Sequence, residues 1–280
     1  MRLWRRHGLF VAAGALCVLV NWQGLGPLWY VGVTLLLVGI GLGWALRHRQ
    51  RPVGERDPVP VEIPVSGRWK ALNGPGTKVP SHHTHSHAQT YAIDLTCHPL
   101  ETPAPEPRWF WPVARRPDRY PAFGQPVLAP GDGVVVTRTD GQRDHLSRTS
   151  LPGLFYLFAE GFLRSMGWTR HLWGNHLVLD LGNGTYAGFA HLRQGSALVT
   201  IGEHVTTGQH LAECGNSGNS SEPHVHFQLM NGPDPTTAQG LPFTWHYTND
   251  QATPQTGVPQ NTTHFTPTPT PTPTTSPPTT

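Results

Sequence analysis

Residues 174–192 read GNHLVLDLGNGTYAGFAHL. Two apolar runs of strand length flank a Gly-Asn-Gly break, too short for helices of ordinary length and separated by residues that favour a hairpin turn. The same punctuation recurs in PVLAPGDGVVVTR (126–138) and PHVHFQL (223–229). Charged residues make up only 13% of the chain, whereas Gly (31) and Pro (29) are abundant, which favours a turn-rich β protein over a helical bundle. The expected fold is mainly β, with an antiparallel sheet as its core.

The N-terminal part follows a different pattern. Residues 8–46 carry almost no charge, and PLWYVGVTLLLVGIGLGWAL (27–46) is long enough to cross a bilayer as a helix. Gly8–Val20 is shorter, and NWQGLGP between them reads as a turn. Arg2, Arg5 and Arg6 precede the pair and Arg47, Arg49 and Arg51 follow it. One or two transmembrane helices are expected, with 1–49 as the membrane anchor. Basic flanks on both ends of a hairpin point to the cytoplasm. No small-residue cleavage site ends the first run, and Leu16 rather than a small residue precedes Cys17. QRPVGERDPVPVEIPV leads into an extended linker over 50–66, a folded domain is expected over 67–246, and a disordered Thr/Pro-rich tail over 247–280. Within the domain, LPGLFYLFAEGFLRSMGW (151–168) breaks the strand pattern and reads as an amphipathic helix, lying either on a membrane or on the sheet.

Net charge of +3, without a basic stripe interleaved with aromatics, argues against nucleic acid. The absence of a CxxC pair argues against a thiolate zinc cage. Cys97 and Cys214 are either a disulfide or two free thiols. Histidine, at 17 residues, is unusually frequent. In CGNSGNSSEPHVHFQL (214–229), His224 and His226 share one strand face because residues i and i+2 point the same way. In VPSHHTHSHAQTYAIDL (79–95), Tyr91, Ile93 and Leu95 face the core and Asp94 the opposite side, behind a loop holding His82, His83, His85 and His87. YAGFAHL ends a strand at His191. A turn motif like that of lipoyl carriers, GEHVTTGQHL, lacks the lysine such a carrier needs, since Lys70 and Lys78 both lie upstream.

These motifs, in this order, resemble the M23 family of zinc metallopeptidases, the lysostaphin and LytM-like peptidoglycan endopeptidases. The resemblance covers roughly 67–246 and implies a hammerhead-like or sandwich β core. It implies one Zn²⁺ per chain held by His82, Asp94 and His226, with His191 and His224 catalytic. Thr90 stands where most members carry the first histidine ligand, so His82 is taken from the VPSH form of the motif, with His85 and His87 as rivals. His176 is expected to be structural. The implied reaction is hydrolysis of peptide bonds in peptidoglycan by a zinc-activated water, the alternative being a degenerate domain that binds cell wall or activates a hydrolase. The resemblance and the Thr/Pro tail point to an outward-facing domain on a bacterial cell membrane. Gly215 and Gly218 are expected to turn the chain tightly and to let an extended peptide approach.

Overall fold

The computed structural model describes residues 7–22, 26–165 and 169–268. Arg2, Arg5, Arg6 and residues 269–280 lie outside the described residues. Helices α1 (His7–Val20) and α2 (Pro27–Arg49) form an antiparallel hairpin. Glycines bring the two backbones together: a Cβ on Gly14 would sit 2.6 Å from the Gly32 carbonyl, and one on Gly39 2.9 Å from the His7 carbonyl. Small residues allow this approach where apolar helices associate. Leu9, Leu16, Leu37, Ile40 and Trp44 remain exposed on the outside of the pair. Among the described residues α2 alone is long and apolar enough to cross a membrane; α1 is shorter.

The rest is mainly β. Its strands are β1 (Val59–Pro60), β2 (Trp69–Leu72), β3 (Ile93–Cys97), β4 (Pro126–Leu128), β5 (Gly133–Thr139), β6 (Asn175–Asp180), β7 (Tyr186–Leu192), β8 (His204–Val205), β9 (His210–Glu213), β10 (Val225–Met230), β11 (Gly240–Leu241), β12 (Phe243–Asn249), β13 (Pro254–Gly257) and β14 (His264–Pro267). Helix α3 (Leu151–Ser165) and the short α4 (Thr169–Trp173) interrupt them between β5 and β6. Among the described residues one sheet runs β1-β12-β14-β2-β3-β10-β7-β6-β5-β8, with β11 on β10 and β13 on β12. Its pairs are antiparallel except β1–β12, which makes it mixed. β4 and β9 form a separate ribbon.

Strand alternation sorts the side chains. Val225, Phe227 and Leu229 of β10 enter the main core with Ile93 and Leu95 of β3, Phe189 of β7 and Val127 and Leu211 of the ribbon. A smaller cluster containing Trp173, Val178, Ala190 and Met230 packs on the other face. Phe227, Phe243 and Trp245 lie in mutual ring contact, with centroids 4.7–5.5 Å apart, a geometry that adds to area burial. Cys97 and Cys214 are both buried free thiols.

The folded unit is longer at both ends than the sequence pattern suggests. Prolines at 58, 60 and 64 leave Val59, Val61, Ile63 and Val65 alternating, and this period-2 set packs on the main core, with Ile63 and Val65 buried. Residues 50–66 are therefore not a free linker. A tail beginning at 247 does not fit the strands either: β13 and β14 extend the sheet, and Phe265 is buried against Trp245 and Tyr247. The polar composition around Phe265 hid one large anchoring side chain. Phe265→Ala is expected to cost about 3–5 kcal/mol, the range for emptying an aromatic core site. Denaturant unfolding checks this, and an unchanged midpoint would return residues beyond 247 to the tail.

Candidate metal and catalytic centre

The centre is built on three adjacent strands. β10 lies between β3 and β7, and its register sets His226 opposite Asp94 on one side and Ala190 on the other. Because paired residues share a face, His226 and Asp94 meet away from the main core. His226 Nδ1 lies 2.9 Å from Asp94 Oδ1. His82 arrives from the loop before β3, with Nε2 3.1 Å from Asp94 Oδ2. The Ser81 amide bonds the Thr90 carbonyl at 3.0 Å and the Ser81 hydroxyl the Gln89 carbonyl at 3.1 Å, which fixes that loop. One donor atom from each of His82, Asp94 and His226 lies within 4.8 Å of the others. The rivals go elsewhere: His85 Nδ1 meets the Thr90 hydroxyl at 3.0 Å, and His87 takes a left-handed backbone with φ 57°.

Gln228, two residues past His226 on the same strand face, sets the chemistry of this histidine. Its amide nitrogen donates to the His87 carbonyl at 2.9 Å, which turns its oxygen toward His226 Nε2, also at 2.9 Å. A carbonyl only accepts, so the amide orientation is determined and His226 Nε2 must carry a proton. His226 Nδ1 then faces Asp94 Oδ1 with either a second proton or a cation between them. Burial alone would raise the Asp94 carboxyl; the electrostatic influence of the adjacent His82 and His224, with hydrogen bonds to His226 and His82, holds it well below the usual carboxylate range. Asn73 adds a hydrogen bond to Oδ2 at 2.9 Å.

His191 and His224 complete the wall, with ring centroids 4.7 Å apart. Alternation along β7 would send His191 into the main core, since Phe189 belongs there and Ala190 to the opposite face. A left-handed backbone at His191, φ 62°, breaks the alternation, so that Leu192 returns to the core while His191 joins the site. Its Nδ1 donates to the Ser217 carbonyl at 2.9 Å. His224 Nδ1 donates to the Glu222 carbonyl at 2.8 Å, and its Nε2 lies 3.6 Å from Asp94 Oδ1. In each neutral ring the bonded Nδ1–H leaves the Nε2 lone pair free to accept a proton. Burial, then the neighbouring His224 and His226, push His191 well below the ordinary histidine value. His176 stands apart, bonded to the Gly174 carbonyl at 2.8 Å and edge-on to Trp173.

The glycine-rich loop supports this wall. A Cβ on Gly215 would lie 2.3 Å from the Arg193 amide, and one on Gly218 2.3 Å from the Gly174 amide. The close approach is to the protein's own chain, which is the tight turning expected of these glycines. Ser217 ties the loop down by donating to the Leu192 carbonyl at 2.7 Å and accepting from the Asn175 amide at 2.9 Å. A further strut comes from the end of α2. Gln50 is buried, donates to the Pro235 and Ala238 carbonyls and accepts from the His87 amide at 3.2 Å. Gln228 was legible as the next i+2 position after His226. Asn73, Ser217 and Gln50 carry no such signal.

The family model for Peptidase family M23 matches residues 156–238. That span holds His191, His224 and His226 and leaves out His82 and Asp94. Under a third of the chain, within the β domain, is thus similar to Peptidase family M23. It is 28% identical over 131 residues to the peptidoglycan DD-endopeptidase ShyA of Vibrio cholerae, an alignment covering 45% of this chain and 23% of that protein. The chain thus matches less than a quarter of that relative's length. Among solved structures, the catalytic domain of lysostaphin from Staphylococcus simulans is 19% identical, covering 62% of this chain and 88% of that chain at a TM-score of 0.33. A zinc-containing peptidase from Vibrio cholerae is 20% identical, covering 68% and 39%, at 0.30.

Beside this centre, burial presses the His87 imidazole down to about 4, against the opposing charge of Asp234. An unfolded histidine takes up its proton near pH 6.5, so the unfolded chain binds more protons between pH 6.5 and 4. The contribution of His87 is present above pH 6.5 and is lost as pH falls through this window, by about 3 kcal/mol. His87→Asn keeps a residue that tolerates the left-handed backbone. Melting temperatures across pH 4–7 are expected to fall less steeply in this variant than in the parent.

Proposed function

We propose that the M23 domain is a zinc-dependent endopeptidase acting on cell-wall peptides, with His82, Asp94 and His226 as the protein ligands. The observation that carries this reading is the facing pair at Asp94 Oδ1 and His226 Nδ1, which Gln228 sets up as two electron-rich atoms 2.9 Å apart. Two imidazoles and one carboxylate are a donor set suited to zinc, and three protein ligands leave a position for water. Zinc held there would supply a Lewis acid with net charge +1 after Asp94, acidifying a water to a pKa of about 7 and polarising the scissile carbonyl. His191 and His224 do the proton work. One ring, neutral, accepts a proton from water at Nε2, and the other, protonated at both nitrogens, offers its Nε2–H to the developing oxyanion or passes that proton to the leaving amine. The main-chain carbonyls of Ser217 and Glu222 take the Nδ1–H of each ring and so leave Nε2 of each for proton exchange.

The relative ShyA is named a peptidoglycan DD-endopeptidase, and peptidoglycan cross-links or stem peptides are the substrate class we assign by that similarity. Peptidoglycan lies outside the membrane, so the M23 domain faces outward, held by the α1–α2 hairpin. The folded unit then comprises residues 50–268 behind an anchor over 7–49.

Elemental analysis of the detergent-solubilised full chain is expected to find about one zinc per chain. His82→Ala is expected to abolish both zinc and release of soluble fragments from purified peptidoglycan. His191→Ala is expected to keep the zinc and lower release by about 10²–10⁴-fold, the usual share of general acid–base catalysis. A wild-type chain with neither zinc nor release would leave a non-catalytic wall-binding domain. Gln228→Leu removes the acceptor for His226 Nε2–H and is expected to weaken zinc by about 10–100-fold in competition with a chromophoric chelator.

A further inference from the structure

The loop between β3 and β4 presents Trp109, Phe110 and Trp111 to solvent at 75%, 68% and 79% exposure. Three consecutive aromatic side chains in water are a costly arrangement that marks a contact surface. The loop is held in place. The Leu151 amide donates to the Trp109 carbonyl at 3.0 Å, and the Ser150 hydroxyl to the Val113 carbonyl at 2.8 Å. These bonds set the aromatic loop beside the start of α3, where Phe155 and Tyr156 are also exposed. Arg108, Arg115, Arg116 and Arg119, with one acidic residue, Glu106, and Pro105, line an open depression of about 760 Å³ in the same loop. Arg116 is paired with the exposed Asp118, and Arg115 donates to the Glu106 carbonyl.

Tryptophan beside arginine is the composition of a membrane–water interface: the rings take the headgroup level and the guanidinium groups bind lipid phosphates. Position supports this occupant. Leu172 of α4, which follows α3, lines one cleft with His7, Gly43, Leu46 and Arg47 at the base of the hairpin. The α3–α4 segment thus begins at the aromatic loop and ends where α2 leaves its apolar span. We propose that the 105–119 loop and the exposed side of α3 form a second membrane contact, seated on an anionic phospholipid surface. The hairpin fixes where the M23 domain is tethered, and this contact fixes its orientation. The proposal does not depend on zinc or on the substrate, but it rests on the hairpin lying in a membrane.

The test uses the full chain with Cys17→Ser and Phe110→Cys, labelled with a nitroxide at position 110 while Cys97 and Cys214 stay buried. The chain is reconstituted into phosphatidylglycerol-rich vesicles, phosphatidylcholine vesicles and detergent. In phosphatidylglycerol, accessibility to oxygen is expected to rise and accessibility to a water-soluble nickel chelate to fall severalfold. Arg108→Glu with Arg119→Glu is expected to reverse the change, as is raised salt on the unmutated loop. A label equally open to nickel in all three media, in a chain that floats with the vesicles, overturns the second contact and leaves the hairpin standing. A label already shielded in detergent, and more so at higher protein concentration, overturns it in favour of a protein partner or second copy. A chain that fails to float overturns the anchor on which the contact depends.

Discussion

The register of β10 against β3 is the constraint on which the centre depends. It sets His226 directly across from Asp94, with the ladder hydrogen bonds fixing their backbones. A shift of one residue would turn Val225 and Phe227 out of the core and His226 into it. The aromatic packing of Phe227 on Phe243 and Trp245 opposes such a shift. Core packing on one face of the sheet thereby positions polar groups on the other.

Around this pair, the imidazoles are oriented by groups that contribute no chemistry of their own. Gln228 is fixed by the His87 carbonyl and in turn fixes His226. The Ser217 and Glu222 carbonyls fix His191 and His224. Buried polar networks of this kind hold their geometry only when every member is satisfied. The left-handed backbone at His191 costs conformational energy, offset by the Ser217 contact and by the return of Leu192 to the core.

The centre is also joined to the helical hairpin. Gln50, at the end of α2, accepts from the His87 amide, whose carbonyl accepts from Gln228. Gln239 holds the same end of the helix through the Arg49 and Arg51 carbonyls. Four hydrogen-bonding steps thus connect the last turn of α2 to His226 and Asp94. The domain is docked on its hairpin through His87 of the loop before β3 and through Pro235, Ala238 and Gln239 after β10, and His87 also orients the centre.

The sequence by itself determined the strand pattern, the shared face of His224 and His226, the outward placement of Asp94, and the apolar helix of 27–46. Each follows from a local period of two residues or from length and composition. Tertiary structure decided which histidine of the 82–87 loop meets Asp94, because that loop is shaped by bonds from Ser81 to Gln89 and Thr90. It decided that His191 leaves the core side, because a single left-handed residue overrides alternation. It decided that Gly215 and Gly218 serve contacts with Arg193 and Gly174, far away in sequence. It also carried the fold past residue 247, where one buried phenylalanine outweighs a polar composition. In each case the deciding contact joins residues whose closeness no local pattern encodes.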